Sequence, residues 1–181
     1  MLYYTILYNV LDTITFWHLS LLRPSFRDGK TIVLAASTEG GRLFIIRDAT
    51  LLRAVPTAVD DCDLSADGSL IAVTAKNQLK LYSAADGLRW VMPGDDRLRA
   101  PRISPDGSKI AASSDIGTAY VVDQNGTVLV DRDMLARPMT AWLPRGDLVI
   151  GSWMGRMLTL NAKLEQGATA LLQPEADDMR G

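Results

Sequence analysis

The sequence predicts an all-β fold assembled from four copies of one small antiparallel unit. Three observations predict it. The glycines Gly29, Gly68, Gly107 and Gly146 are spaced by 39 residues each time. Each is followed by a short apolar run of strand length. Each run is followed at a short interval by a second such run. Equal spacing over four units marks a repeat architecture, in which one supersecondary unit buries its faces only against its neighbours.

The clearest copy is ISPDGSKIAAS, from Ile103 to Ser113. The others are SFRDGKTIVLA from Ser25, LSADGSLIAVT from Leu64 and WLPRGDLVIGS from Trp142. Asp-Gly at 28–29, 67–68 and 106–107 suits a tight hairpin, because Gly accepts a positive φ freely and Asp tolerates one. The fourth copy keeps the glycine but has Arg145 in place of the Asp. The runs after the turn are 31–36, 70–75, 110–114 and 148–153. They are continuous in apolar and small residues, as expected of strands covered on both faces. Six residues beyond each turn glycine stands a small residue, Ala35, Thr74, Ser113 or Ser152, which lets neighbouring sheets approach closely.

Second strands are expected at 42–47, 78–83, 118–123 and 156–160. Two units then repeat a turn signal, Asp86-Gly87 and Asn125-Gly126, followed by runs at 88–92 and 127–131. A further run precedes each Asp-Gly turn, as at 102–104. Four short strands in 39 residues make one blade of a β-propeller. The expected fold is therefore a propeller of four blades, each a four-stranded antiparallel sheet.

The SxDGxxIA pattern, with its following strand and second Asp-Gly or Asn-Gly turn, resembles WD-repeat propellers. The run from Leu79 to Trp90 (LKLYSAADGLRW) is similar to the quinoprotein-like repeat of propellers that hold pyrroloquinoline quinone. The resemblance covers about residues 24–167. It departs from both families: there is no Trp-Asp dipeptide, the lone histidine is His18, and the quinoprotein-type Trp occurs only at Trp90. It implies blade architecture. It also keeps open a segment of a quinoprotein-like dehydrogenase, which would imply calcium and a complete ring, or a periplasmic assembly-type propeller.

Unit boundaries are expected at 23–58, 59–97, 98–137 and 138–173, with a polar tail at 174–181. Residues 1–22 contain no Lys or Arg and are rich in aromatic and aliphatic side chains. They lack the basic start and cleavage site of a signal peptide, and Asn9, Asp12 and His18 interrupt any membrane span. They read as two strands, 3–10 and 13–21, of a preceding blade. The absence of a visible signal peptide favours the cytoplasm. Most closed propellers have more than four blades. In order of preference, the chain is a partial propeller, one completed by another chain, or a compact ring.

The chain is 48% hydrophobic and 22% charged with a formal net charge of −2. That composition fits a folded domain and gives no electrostatic drive toward nucleic acid or anionic membrane. One cysteine, Cys62, excludes an internal disulfide or a multi-cysteine metal site. Asp60, Asp61 and Asp63 flank it, but their spacing is not that of a calcium loop; they read as a loop feeding an inner strand. Neighbouring carboxylates would raise the thiol pKa and leave it a poor nucleophile. No catalytic triad can be built around one histidine. No catalytic residue, metal site or cofactor is expected.

The candidate site residues are therefore partner-binding ones. Arg97, Arg99 and Arg102 cluster with Arg89 at one connection, where Asp95 and Asp96 are expected to neutralise them. Trp142, Trp153 and Met154 are unusual for their repeat positions, Trp153 standing where other units have Ala36, Ala75 and Ser114. Buried tryptophans fill cores, but exposed ones anchor partners. The function expected is a non-catalytic scaffold for protein–protein interaction. Its partner would be another protein, further blades of the same propeller, or a second copy of the chain.

Overall fold

The computed structural model describes residues 19–27, 30–37, 41–47 and 50–171. Within them lie sixteen strands in four antiparallel four-stranded sheets. The first sheet is β1 (Leu19–Arg27), β2 (Lys30–Ser37), β3 (Arg42–Arg47) and β4 (Thr50–Pro56). The second is β5 (Asp61–Leu64), β6 (Leu70–Ala75), β7 (Gln78–Ser83) and β8 (Gly87–Pro93). The third is β9 (Leu98–Ile103), β10 (Lys109–Ser114), β11 (Thr118–Asp123) and β12 (Val128–Asp133). The fourth is β13 (Pro138–Trp142), β14 (Leu148–Ser152), β15 (Arg156–Leu160) and β16 (Gln166–Leu171). Strands follow in sequence order within every sheet, so each sheet is a meander joined by hairpins.

The first strands pack side by side, β1 on β5, β5 on β9 and β9 on β13. They form the inner row of an arc, and β4, β8, β12 and β16 form its mostly exposed outer rim. The two end sheets share no comparable packing among the described residues. β1 begins at Leu19, so residues 19–22 run into the first sheet and the boundary drawn at 23 falls inside a strand. Residues 1–18, the Asp28-Gly29 turn and residues 172–181 lie outside the described residues, and with them His18, the strands expected before residue 19 and the tail.

Three apolar cores lie between successive sheets. Leu43 and Ile45 meet Ile71 and Val73. Leu70, Ala72, Leu79 and Leu81 meet Ile110, Ala112, Tyr120 and Val122. Ala111, Ala119 and Val121 meet Leu148, Ile150, Leu158 and Leu160. Successive strand residues point to opposite faces. Leu70 and Ala72 therefore serve one neighbour while Ile71 and Val73 serve the other, and every residue of β6 is buried. This is the physical reason for the unbroken apolar runs in the sequence.

The Asp-Gly hairpins are closed by a side-chain lattice that is identical in two blades. In the second, Ser65 Oγ donates to Asp67 Oδ1 at 2.6 Å, the Ser69 amide donates to the same oxygen at 3.0 Å, and the Leu70 amide donates to Ser65 Oγ at 2.9 Å. In the third, Ser104, Asp106, Ser108 and Lys109 repeat these bonds at 2.6, 3.0 and 2.9 Å. Gly68 and Gly107 have φ of 67° and 74°, the left-handed region that favours glycine.

The fourth hairpin is one residue shorter. There the Leu143 amide donates to Asp147 O, whereas Ser104 reaches Lys109 O and Ser65 reaches Leu70 O. The strand that follows is therefore shifted by one residue against the glycine count. Leu148 takes the place of Ile110 in facing the preceding sheet. Gly155 bonds Ser152 O as Gly117 bonds Ser114 O. Trp153 consequently occupies the place of Asp115, not that of Ser114 as the spacing implied, and Gly151, not Ser152, corresponds to Ser113.

The first and second blades are each also latched to the next. Arg53 on β4 donates through Nη2 to Ala85 O in the second sheet's outer turn. Trp90 on β8 donates through Nε1 to Gln124 O, at 2.9 Å, in the third sheet's outer turn. Arg53 and Trp90 pair with equivalent residues, Ile45 and Leu81, so one latch is built from two chemistries. On the inner row, Asp63 Oδ2 accepts the Ile103 amide at 2.8 Å. Cys62 is buried in the core on the other face, the opposed placement expected of adjacent strand residues.

Candidate functional site

The hairpins divide the loops between two ends of the arc. The turns β6–β7, β10–β11 and β14–β15 share one end with the connections β8–β9 and β12–β13. At this end the turns are bonded to the connections: the Leu98 amide donates to Lys76 O at 2.7 Å, and the Met134 amide to Gly117 O at 2.9 Å. The loops thus form one continuous surface rather than independent flaps.

That surface carries paired charges. Arg97 Nη2 lies 3.1 Å from Asp60 Oδ1, and Asp60 Oδ2 also accepts the Lys76 amide at 2.8 Å. Arg99 Nε lies 2.6 Å from Asp115 Oδ1, and Arg137 Nη2 lies 2.9 Å from that same oxygen. The Arg99 bond, then its charge and that of Arg137, holds the Asp115 carboxyl below the ordinary carboxylate range. The bond to Asp115 in turn raises the Arg99 guanidinium. These side chains are well exposed, so each pair is worth about 1 kcal/mol or less. They fix side-chain positions more than they stabilise the fold.

The same end carries exposed apolar side chains. Trp153 is 76% exposed, and Met154, Met139, Leu135 and Ile116 are exposed as well. Ile116, Trp153 and Met154 stand on hairpin turns, Leu135 on the β12–β13 connection with φ of 64°, and Met139 near the start of β13. A cleft of about 420 Å³ opens beside two of them, Trp153 and Met139, and is lined also by Arg99, Arg137, Asp60 and Ser113, among others.

The structure therefore separates the candidate residues. Arg97, Arg99, Trp153 and Met154 share this end. Trp142 does not: its ring packs on the core between the third and fourth sheets, and its Nε1–H donates to Arg102 O at 2.9 Å. Arg102 donates to Pro101 O and stands toward the other end of β9. Asp95, expected to neutralise the arginines, instead accepts a 2.6 Å bond from Thr118 Oγ1. Asp60 and Asp115 take that part. Asp115, Arg137 and Met139 were not singled out in the sequence. Arg99 and Asp115 meet through the pairing of β9 with β10 inside the third sheet, and Arg137 joins them from the connection that enters the fourth.

No family model matches the chain. No curated protein matches it. Among solved structures, a chain in the crystal structure of a mitotic checkpoint complex matches with a TM-score of 0.67 at 14% sequence identity. The match covers 84% of this chain and 52% of that one. At this identity the likeness is one of fold. The fold is a β-propeller. Its four described blades span about half of the solved chain that they match.

Proposed function

We propose that this propeller is a non-catalytic scaffold that binds another protein through the end carrying Trp153, Met154, Met139, Leu135 and Ile116. The observation that carries the reading is the gathering of these five exposed apolar side chains on one loop surface. Large exposed aromatic and Met side chains beside arginine are the composition of interface cores. Isolated exposed apolar residues are ordinary; a cluster ringed by fixed charges supports a binding face. Further blades, or a second copy of the chain, would complete the ring without covering this end.

The alternative is a segment of a quinoprotein-like dehydrogenase. It rests on the run from Leu79 to Trp90, whose tryptophan also serves as a latch to the next blade. Addition of pyrroloquinoline quinone with calcium, read by bound absorbance and dye reduction, tests that alternative directly.

The scaffold reading is tested with a photo-crosslinking amino acid placed in living cells at position 153 or, as control, at Leu88 on the outer rim. One discrete adduct from 153, absent from 88 and lost on Met139→Asp, is the expected result. Equal labelling from both positions, or none from 153, would overturn it.

A further inference from the structure

We propose that the cleft beside Trp153 recognises an acidic side chain, the carboxylate of an Asp or Glu in a segment of the partner, with Arg99 and Arg137 as its receptors. The inference rests on the docking face described above and adds what that face selects.

The first argument is one of donors. A guanidinium carries five N–H donors in a planar fork matched to a carboxylate. Arg99 and Arg137 both line the cleft, yet their ion pairs converge on a single acceptor, Asp115 Oδ1. The remaining N–H donors of the two forks bond no other acceptor among the described residues. Asp60 and Asp61 also line the cleft and keep their charge, so the selection lies in the unused donors rather than in net charge. Asp60 is held by Arg97 and the Lys76 amide, and Asp61 accepts the Cys62 amide.

The second argument is independent of charge. Ser113 is 2% exposed and lines the same cleft, and its Oγ has no hydrogen-bond partner among the described residues. A buried hydroxyl without a partner carries its desolvation cost uncompensated. A carboxylate at the cleft floor supplies the acceptor that this hydroxyl lacks. Ser113 pairs with Arg99 across β10 and β9, next to a bulge at which Ala100 adopts φ of 47°. Bulges re-aim neighbouring side chains, and this one brings Arg99 into register with the unpartnered serine.

Trp153 and Met139 complete the cleft with apolar surface. The ligand expected is thus an acidic residue flanked by an apolar one. A lysine or arginine side chain offers no acceptor to the guanidinium forks or to the serine hydroxyl.

The test uses the full chain, isotope-labelled, and three capped tripeptides: Ac-Leu-Glu-Leu-NH2, Ac-Leu-Gln-Leu-NH2 and Ac-Leu-Lys-Leu-NH2. The readout is the shift of the Arg99 and Arg137 Nε–H and Trp153 indole signals. The Glu peptide is expected to bind about tenfold or more tightly than its Gln and Lys counterparts, the scale of a charged hydrogen bond. Arg137→Gln, an exposed position that leaves the cores untouched, is expected to bring the Glu peptide down to the Gln level. Equal binding of Glu and Gln, preference for Lys, or no saturable shift with the Glu peptide up to roughly 10 mM, well above a millimolar Kd, would each overturn the proposal. The docking face itself stands or falls separately, by the adduct from position 153.

Discussion

The Trp90 ring lies against Gly126, so that a Cβ at Gly126 would stand 3.1 Å from Trp90 Cγ. The residue also has φ of 89°. Two penalties therefore coincide in one place: a left-handed backbone, and a ring held by its own bond to Gln124 O. Gly126→Ala is expected to lower stability by about 1–3 kcal/mol. Gly41 gives the control, since it has φ of 54° but nothing within 4 Å of its would-be Cβ. Gly41→Ala should lose the smaller amount in the same urea titration. Equal losses would mean that backbone strain alone, and not the latch, governs Gly126.

The hairpin lattices make a pH-dependent contribution. Asp106 is lowered to about 2, chiefly by the Ser104 hydroxyl and then by the Ser108 amide. Its folded value lies below the unfolded one, near 3.9, so its contribution is present above the unfolded value. It is lost as pH falls toward 2, where the folded carboxylate takes up its proton. The wild type is therefore expected to lose stability more steeply than Asp106→Asn between about pH 5 and pH 2, and the gap between them to close at the acid end. Parallel profiles by thermal unfolding would show that the lattice carries no such linkage.

Features encoded locally were legible in the sequence. The Asp-Gly turns at 67–68 and 106–107 lie where hairpins form, and β3, β7, β11 and β15 occupy the residues expected of second strands. A turn depends on its own few residues, and a doubly covered strand declares itself by continuous apolar character. The shortened fourth hairpin was hidden, because Gly146 keeps the repeat spacing while the residue is lost after it, between Gly146 and Leu148. That displaced the reading of Trp153 by one position. The site was less legible still. Arg97 and Asp60, or Arg137 and Asp115, meet only because separate blades pack, and an exposed side chain such as Met139 leaves no periodic trace. Trp142 and Trp153 look alike as residue types, and only the fold separates a core ring from a surface one.

That separation is measurable. Trp142 is half-buried on the core between the third and fourth sheets and donates its indole N–H to Arg102 O. Trp142→Ala removes both the packing and the bond, with an expected loss of about 2 kcal/mol, below the range for a fully buried Trp. Trp153 is 76% exposed, and Trp153→Ala should change stability by less than about 0.5 kcal/mol. The pair of variants thus splits folding from binding: only the second leaves a native protein from which the docking surface has been trimmed. A loss at Trp153 comparable to that at Trp142 would place its ring in the core and remove it from the docking face.

The inner row supplies the last prediction. The Ile103 amide, on a residue that is itself buried, has the Asp63 carboxylate of the preceding blade as its acceptor. β9 therefore depends on β5 for a backbone partner that its own sheet does not provide. Asp63→Ala leaves that amide unpaired where water reaches it poorly, a cost of about 1–3 kcal/mol. Asp63→Asn keeps a carbonyl oxygen able to accept the same bond, and should recover a large part of the loss. Amide exchange at Ile103 reads the effect locally. It is expected to accelerate strongly in the Ala variant and weakly in the Asn variant, while the Ile71 amide, inside the second sheet, changes only with global stability. Equal acceleration in both variants would show that the negative charge of Asp63, rather than its acceptor oxygen, holds the two blades in register.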